Sequence, residues 1–293
     1  MQSFILGAGL GMRLRPLTAM LPKPLMPVFQ RPLVHHILDY HYKAGVRDFT
    51  INISHLALMW PRAFPEESWH GFPLHFSHEE QALDSGGGVK RIMPRVSSDS
   101  PLLVQNGDVL TDLSLRELLE THRRGGWQVT LALRSVDGNR NVGFDPGSGR
   151  VTDMRHALRV NPGTHQFAGV YVMESSVAAL FPKDEVFSIV PVWLELIRRG
   201  QVGGAVFDHA EWHEIGTPAS YLDSVLDTSS AQRIHPTARI SGEARLSQDC
   251  SVGAGASVEA GAELFDCVVW PRTHVRPGLY KRCILTPRLV VQA

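Results

Sequence analysis

The sequence predicts an α/β protein with two parts: a mainly parallel sheet covered by helices, followed by a short β-solenoid. From Met1 to about Asp227, short apolar runs typical of buried strands alternate with helical patterns. A polar stretch at 227–233 has the composition of a linker, and beyond it the hydrophobic period changes to six residues. We therefore place one domain at 1–228 and a second at 229–293.

Composition and charge narrow the class of protein. Of the 293 residues, 43% are hydrophobic and 20% are charged, so the chain can bury a sizeable core. Basic and acidic residues both number 29, and this zero net charge argues against nucleic-acid or anionic-membrane partners. We find no signal-peptide pattern, no apolar run of ~18 residues and no CxxC pair among the three cysteines. We expect a cytoplasmic protein with reduced thiols.

The elements of the first domain follow one another in a regular alternation. We predict strands at 3–6, 49–53, 102–104, 129–133, 167–173 and 202–207. Helices are predicted from Leu33 to a stop at Gly45, over 115–124 before Gly125, and over 189–199 before Gly200. Strands that alternate with such helices favour a Rossmann-like sheet covered on both faces, with ligands bound beyond the carboxyl ends of its strands.

The second domain carries a six-residue repeat. An aliphatic residue recurs at Ile234, Ile240, Leu246, Val252, Val258 and Leu264, with Trp270 at the next position. Four residues after each comes a small one, at Ala238, Ala244, Cys250, Ala256 and Ala262, and then Val268. This pattern resembles the hexapeptide repeat of left-handed β-helices, in which each buried aliphatic contributes roughly 1.5–3 kcal/mol. The repeat breaks near Pro271 and Pro277, where we expect a cap.

A glycine-rich segment follows the first predicted strand, with glycines at positions 7, 9 and 11. Glycines let backbone N–H groups crowd around an anion. The segment has neither Walker A nor dinucleotide-binding spacing. Arg13, Arg15 and Lys23 add cations close by, and Lys23 stands between two prolines that restrict its backbone. For Arg13 and Lys23 we favour a role at a polyphosphate site, and for Arg15 a solvated surface position is an equal alternative.

Residues 7–18, followed by Pro-Lys-Pro-Leu-Met-Pro-Val at 22–28, resemble the N-terminal signature of sugar-1-phosphate nucleotidyltransferases, also called NDP-sugar pyrophosphorylases. Four further segments resemble the family's motifs in the family's order, at 83–88, 106–108, 167–171 and 212–218. The C-terminal repeats resemble the β-helix appended in mannose-1-phosphate guanylyltransferases and ADP-glucose pyrophosphorylases. The catalytic half also resembles N-acetylmuramate-1-phosphate uridylyltransferase.

The resemblance implies a magnesium-dependent enzyme of NDP-sugar biosynthesis and assigns roles to particular residues. The implied catalytic residues are Arg13, Lys23 and Asp108. Nucleotide binding falls to Leu6, Gly7, Ala8, Gly9, Gly11, Gln81, Gly86 and Gly87, although Gln81 is equally compatible with a surface loop. Sugar-phosphate binding falls to Asn106, Gly107 and Gly169, and Mg²⁺ binding to Asp108 and Glu214.

The sequence departs from the family pattern in three ways. Met12 stands where the family usually has Thr, and Glu214 where it usually has Asp. The family's Glu-Lys-Pro segment, whose lysine grips the sugar phosphate, is absent. The segment Met154-Arg155-His156 and the nearby Arg159 are candidates to replace that lysine.

These expectations lead to one preferred function and two alternatives. The preferred one transfers a nucleotidyl group from GTP to mannose 1-phosphate, giving an NDP-sugar and pyrophosphate. The enzymatic alternative uses UTP and an amino-sugar 1-phosphate of the N-acetylmuramate type. The departures at Met12 and Glu214 motivate a non-catalytic regulatory or scaffold protein that binds nucleotide sugars. A homo-oligomer formed through the β-helix is left open.

Overall fold

The computed structural model describes residues 1–136, 138–160, 163–227 and 233–293. The chain forms two compact units: the first comprises Met1–Leu10 and Ile37–Trp212, and the second Gly11–His36 and His213–Ala293. The expected boundary between 228 and 229, and most of the linker around it, lie outside the described residues. The division into 1–228 and 229–293 therefore stays a prediction.

The structure contains short strands throughout and six α-helices in the described ranges. In chain order the strands are β1 (Gln2–Leu6), β2 (Pro27–Val28), β3 (Arg31–Pro32), β4 (Asp48–Ile53), β5 (Ser68–Trp69), β6 (Phe72–His78), β7 (Leu102–Asn106), β8 (Val109–Thr111), β9 (Val129–Arg134), β10 (Val142–Asp145), β11 (Arg150–Met154), β12 (Gln166–Met173), β13 (Val202–Val206), β14 (Trp212–Glu214), β15 (Arg239–Ile240), β16 (Arg245–Leu246), β17 (Ser251–Val252), β18 (Ser257–Val258), β19 (Ala262–Phe265), β20 (Val268–Val269), β21 (His274–Val275), β22 (Gly278–Lys281), β23 (Cys283–Leu285) and β24 (Val290–Gln292). The helices are α1 (Leu33–Lys43), α2 (Trp60–Ala63), α3 (Asp84–Ile92), α4 (Leu115–Gly125), α5 (Val190–Arg198) and α6 (Pro218–Asp227).

The first unit is built on a mixed sheet with the strand order β10-β11-β13-β9-β12-β7-β1-β4-β6-β5. Strands β7, β1, β4 and β6 pair in parallel, as do β9 and β13. Strand β12 lies antiparallel between β9 and β7, so the carboxyl ends of all six parallel strands meet at one edge. This confirms the Rossmann-like, mainly parallel sheet predicted from the sequence.

Both faces of this sheet are buried. One face presents Phe4, Val104 and Leu131 to a core that includes Val89 of α3 and Trp193 of α5. Residues of opposite orientation, such as Ile5, Leu103 and Val172, are also fully buried. Because successive side chains of a strand point to opposite faces, the continuous apolar runs seen in the sequence are explained by this two-sided cover.

Each strand and helix predicted for this unit is present, with ends shifted by up to two residues. The sequence analysis did not predict β6, the β10–β11 hairpin or helix α3. Strand β12 runs against its neighbours, which the apolar pattern of 167–173 could not reveal because a buried strand has the same composition in either direction.

The second unit contains three stacks of short parallel strands, in the orders β15-β18-β21, β16-β19-β22 and β17-β20-β23. Paired residues lie one coil apart in the chain, as in Arg239↔Ser257 and Arg245↔Glu263. Val252, Val258 and Leu264 are buried inside the stack. The arrangement is compatible with a β-helix, and its left-handed form stays a prediction.

The repeat changes register earlier than we expected. Cys267 and Val269 take the interior positions that the six-residue spacing gave to Val268 and Trp270. Trp270 instead packs outside this core and donates a hydrogen bond from Nε1 to the Tyr221 hydroxyl of α6 at 3.0 Å. Ile234, the first predicted repeat position, pairs in parallel with Val252 but is 45% exposed. Among the described residues, no helix combines the length and apolarity needed to cross a bilayer.

Candidate functional site

The first glycine loop leaves β1 at the carboxyl edge of the sheet, in the first unit. Gly7 and Ala8 are buried, and their amides both point at the side-chain oxygen Oδ1 of Asn52, at 2.7 and 3.3 Å. A Cβ on Gly7 would lie 2.9 Å from the Asn52 carbonyl oxygen, so only glycine fits. Gly9 is exposed, and a Cβ added there would meet nothing within 4 Å. The loop is thus fixed at its base and open at Gly9.

A buried polar network supports that base. Asn52, on β4 beside Leu6, donates from Nδ2 to the Glu79 carboxylate at 2.8 Å. The second Glu79 oxygen accepts the Leu83 amide at 2.9 Å, directly before helix α3. Glu79 is 1% exposed and Asn52 is 3% exposed. These two residues therefore tie the first glycine loop to the second glycine segment, and the sequence analysis missed both. A polar pair at the ends of two apolar strands was the signal that could have found them.

The second glycine segment lies in a helix and is closely packed. Gly86, Gly87 and Gly88 lie inside α3 and are buried. The amides of Gly86 and Gly87 donate to the Phe187 carbonyl at 2.9 and 3.1 Å. A Cβ on Gly87 would lie 2.1 Å from the Glu185 carbonyl oxygen. Close packing thus accounts for these glycines, and nucleotide binding by Gly86 and Gly87 stays a prediction. The same holds for Gln81, which is exposed before α3.

Asn106, Gly107 and Asp108 form the turn between β7 and β8 at the same edge. The Gly107 amide donates to the Leu6 carbonyl at 3.0 Å, which joins this turn to the start of the first glycine loop. Asp108 is partly exposed. The structure therefore brings Asn106 and Gly107 next to Leu6, Gly7 and Ala8, and their roles in ligand binding stay predictions.

A buried amide–imidazole pair braces that turn. Gln105 donates from Nε2 to the Val109 carbonyl at 3.0 Å, spanning the turn from one side to the other. Its Oε1 lies 2.7 Å from His41 Nε2, so the imidazole donates there as the neutral Nε2–H tautomer. Complete burial lowers the pKa of His41 to about 4, against a smaller opposing effect of the Gln105 hydrogen bond. His41 thus stays uncharged at neutral pH and holds Gln105 in one orientation.

Gly169 lies on β12 next to the turn. Its φ of +80° is one that residues with a Cβ rarely adopt, and a Cβ there would be 2.8 Å from Val109 and 3.3 Å from the Asn106 amide nitrogen. Trp212 donates from Nε1 to the neighbouring Ala168 carbonyl at 2.9 Å. Gly169 therefore lies beside Asn106 at the same edge, and its role in sugar-phosphate binding stays a prediction.

In the second unit, the predicted cation Arg13 and the predicted metal ligand Glu214 contact each other. Arg13 Nη2 lies 3.6 Å from Glu214 Oε1, and the side chains are 71% and 41% exposed. Gly11 precedes Arg13 in a left-handed conformation, with its carbonyl accepting the Thr18 hydroxyl at 2.9 Å. An ion pair this exposed contributes about 0–1 kcal/mol, so both side chains can exchange partners at little cost.

Lys23 also belongs to the second unit and begins a 3₁₀ turn, Lys23–Leu25, that follows Pro22. Its side chain is partly exposed, whereas Pro22 and Pro24 on either side are buried. The segment continues to Pro27, whose carbonyl accepts the Tyr221 hydroxyl at 2.5 Å. The proline-flanked lysine is therefore held on a backbone that is anchored on both sides.

The suggested replacements for the missing sugar-phosphate lysine lie in one loop after β11. Arg155, His156 and Arg159 are exposed. Asp153, which is 1% exposed, accepts the backbone amides of Met154 and Leu158 at 2.7 and 3.0 Å and so organises this loop. Nothing in these contacts assigns a ligand to the three basic side chains.

The donor groups fit a magnesium ion that binds together with a phosphorylated ligand. Within the described ranges, no group of three or more His, Cys, Asp or Glu side chains is arranged to hold a metal ion. Mg²⁺ commonly takes one or two carboxylates and completes its octahedron with substrate phosphates and water. Asp108 offers a carboxylate of this kind at the sheet edge, and Glu214 is another accessible one in the second unit.

Comparison with known proteins places this geometry in context. The family model for nucleotidyl transferases matches residues 2–230. The mannose-1-phosphate guanylyltransferase of Mycobacterium tuberculosis is 31% identical over 228 residues, covering 76% of this chain and 63% of the relative. The UTP–glucose-1-phosphate uridylyltransferase of a Synechocystis species is 27% identical over 249 residues, covering 79% of this chain and 64% of the relative. The matched region thus spans less than two thirds of the length of these relatives.

A solved structure shares the fold. HddC from Yersinia pseudotuberculosis, crystallised with GMP-PN, superposes with a TM-score of 0.63 at 21% sequence identity. The superposition covers 76% of this chain and 97% of HddC. At this identity the likeness concerns the fold alone.

Proposed function

The chain belongs to the nucleotidyl transferase family, and we propose that it transfers a nucleotidyl group from a nucleoside triphosphate to a sugar 1-phosphate. The single observation that carries this proposal is the joined pair of segments at the carboxyl edge of the sheet. There the open glycine loop at Gly9 and the turn bearing Asp108 are linked by the hydrogen bond from Gly107 to Leu6. Ligands of open α/β sheets bind beyond this edge.

The proposed reaction needs positioning more than covalent chemistry by the protein. A phosphate oxygen of the sugar 1-phosphate attacks the α-phosphorus of the triphosphate in line, and the bond to the pyrophosphate oxygen breaks. When bound, Mg²⁺ would offset negative charge on the reacting phosphates. In this proposal the first unit holds the polyphosphate against the 7–9 loop and supplies the Asp108 carboxylate. The role of Glu214 is the one that the sequence resemblance implies.

Arg13 and Lys23 are the proposed cations for the triphosphate. In-line displacement at phosphorus accumulates charge on the leaving group, which fixed cations stabilise. The exposed ion pair between Arg13 and Glu214 supports this role, because each side chain can be recruited by a ligand without leaving a buried charge behind. Gly11 and Lys23, on anchored backbone segments, would complete the phosphate contacts.

For the substrates, we propose GTP and mannose 1-phosphate. The relatives named mannose-1-phosphate guanylyltransferase support this choice. The relative named UTP–glucose-1-phosphate uridylyltransferase favours UTP as the second candidate. An amino-sugar 1-phosphate and a non-catalytic, nucleotide-sugar-binding role remain the alternatives raised by the sequence.

The test is a pyrophosphate-release assay with Mg²⁺, the four nucleoside triphosphates and a panel of hexose and amino-sugar 1-phosphates. We expect turnover with GTP and mannose 1-phosphate above all other pairs. Highest turnover with UTP would transfer the assignment to the second candidate. If no pair gives turnover while nucleotide sugars still bind, the protein is a binding relative and the proposed reaction is wrong.

A further inference from the structure

One cation at the sheet edge has no role in the site described so far. Arg134 is the last residue of β9, which runs parallel to β13 and antiparallel to β12. Its side chain therefore begins at the carboxyl edge. Strand β12 lies between β9 and β7, the strand that leads into the Asn106–Asp108 turn. Arg134 pairs with Gln166, three residues along β12 from Gly169, which lies level with Asn106. Two strand spacings of ~4.8 Å across the sheet and this offset of ~3.3 Å per residue separate the Arg134 backbone from that turn by roughly 14 Å.

Trp212 holds the Arg134 side chain in place. The guanidinium carbon lies 4.6 Å from the centre of the Trp212 ring, within the range of a cation–π interaction. The indole is fixed in turn by its hydrogen bond to the Ala168 carbonyl, next to Gly169. The cation is thus oriented beside the strand that separates it from the Asp108 turn.

Among the residues that the structure describes, no carboxylate forms an ion pair with Arg134. Across the described ranges Arg134 makes no ion pair, and its buried Nε has no hydrogen-bond partner. Asp208 is engaged by the residue after Arg134: the Ser135 amide donates to one carboxylate oxygen at 2.6 Å and the Ser135 hydroxyl to the other. A buried Nε–H without an acceptor is costly unless a ligand supplies one.

We propose that Arg134, stacked on Trp212, binds the phosphate group of the sugar 1-phosphate. This assignment rests on the proposed function. A phosphate monoester dianion matches the planar fork of guanidinium donors, including the unpartnered Nε–H. A sugar 1-phosphate lying along β12 would reach from Arg134 to the Asn106–Asp108 turn. Arg134 would take the place of the lysine that is missing from the family pattern.

The test compares Arg134→Met, which keeps apolar length against Trp212, with Arg134→Lys, which keeps the charge. Arg123→Met, at an exposed position of α4, is the matched control. For Arg134→Met we expect KM for mannose 1-phosphate, or for the best sugar 1-phosphate of the panel, to rise by about 10- to 100-fold. The dissociation constant for the nucleoside triphosphate should stay within about twofold of wild type. Arg134→Lys should recover part of the loss, and Arg123→Met should behave as wild type.

Three results would overturn the assignment in distinguishable ways. An unchanged KM for the sugar phosphate in an active, folded Arg134→Met variant would show that Arg134 does not bind the phosphate group, and the proposed function would still stand. Equal losses for both substrates, together with a lowered melting temperature that Arg134→Lys fully restores, would mean that the cation only braces Trp212. If the wild type turns over no substrate pair and binds no sugar phosphate, the proposed function fails and the assignment fails with it.

Discussion

The two glycine-rich segments of the first unit look alike in the sequence but differ in how closely the protein packs around them. The loop at Gly7 and Gly9 is held at its base by a buried polar network and is open at its tip. The segment at Gly86–Gly88 is closed, with its glycines pressed against Phe187, Glu185 and Asn52. The comparison teaches that a run of glycines signals close approach, and that only the fold shows whether the approaching group is a ligand or the protein itself.

The way each segment is supported differs as well. The first loop and the neighbouring Asp108 turn depend on hydrogen bonds from Asn52, Glu79, Gln105 and His41. The second segment depends on steric fit. Substitutions in the closed second segment, at the polar anchor of the first loop and at the open tip of that loop should therefore differ in their effects on unfolding free energy and on activity.

The largest effect is expected for Gly87→Ala. A Cβ would lie 2.1 Å from the backbone oxygen of Glu185, and backbone cannot move aside as easily as a flexible side chain. Overpacking of this kind should cost about 3 kcal/mol or more of unfolding free energy, measured by chemical denaturation. A Gly87→Ala variant as stable as wild type would show that the second glycine segment is as open as the first loop, which would contradict the difference described between them.

Asn52→Ala should cost about 2–3 kcal/mol of unfolding free energy. It leaves the Gly7 amide and the Glu79 carboxylate buried without their partner. Because the network anchors the loop, KM for the nucleoside triphosphate should rise as well. In a double-mutant cycle with Glu79→Gln, the two losses should be non-additive. Additive losses would mean that the two residues do not act as one network.

The His41–Gln105 brace predicts a loss of stability in mild acid of about 2 kcal/mol between pH 7 and pH 5. The pKa of His41 is about 4 in the folded chain and 6.5 in the unfolded one. Between these pH values His41 is protonated in the unfolded chain and neutral in the folded one. The free energy of unfolding therefore falls as pH drops through 6.5 towards 4.

His41→Gln provides the control, because its amide can still donate to Gln105 but does not titrate. Unfolding free energies at the two pH values should differ less in this variant than in wild type. An identical pH dependence in both proteins would contradict the role of neutral His41 in the brace.

The smallest free-energy change is expected for Gly9→Ala, where the effect should appear in activity alone. An added Cβ meets no protein atom within 4 Å, so unfolding free energy should stay within about 0.5 kcal/mol of wild type. The methyl group would, however, crowd a polyphosphate, and kcat/KM should fall by about tenfold, or ~1.4 kcal/mol. Unchanged kcat/KM would show that no ligand approaches this tip.

Much of the first unit could be predicted because its signals are local. Apolar runs and helix stops such as Gly45 and Gly200 located the elements within two residues. Long-range facts were missed, since the direction of β12 and the contacts of Gly87 with Glu185 depend on which segments meet in space.

The same limit explains the missed residues. Asn52, His41 and Gln105 lie at buried positions of strands and a helix, and Glu79 directly follows a strand. The role of a buried polar residue depends on its partner, which the sequence does not show. In the second unit, the shift from Trp270 to Val269 could not be predicted because one missing residue in a coil moves every later interior position.

The central claim is that the edge formed by the Gly7–Gly9 loop and the Asp108 turn binds the triphosphate with magnesium. The most direct measurement is Mg²⁺-dependent pyrophosphate release by wild type and Asp108→Asn with the best substrate pair. The substitution removes a carboxylate charge at almost constant volume, so we predict turnover lowered by about 10³-fold or more with an unchanged melting temperature. Wild-type turnover in Asp108→Asn at the same magnesium concentration would contradict the account.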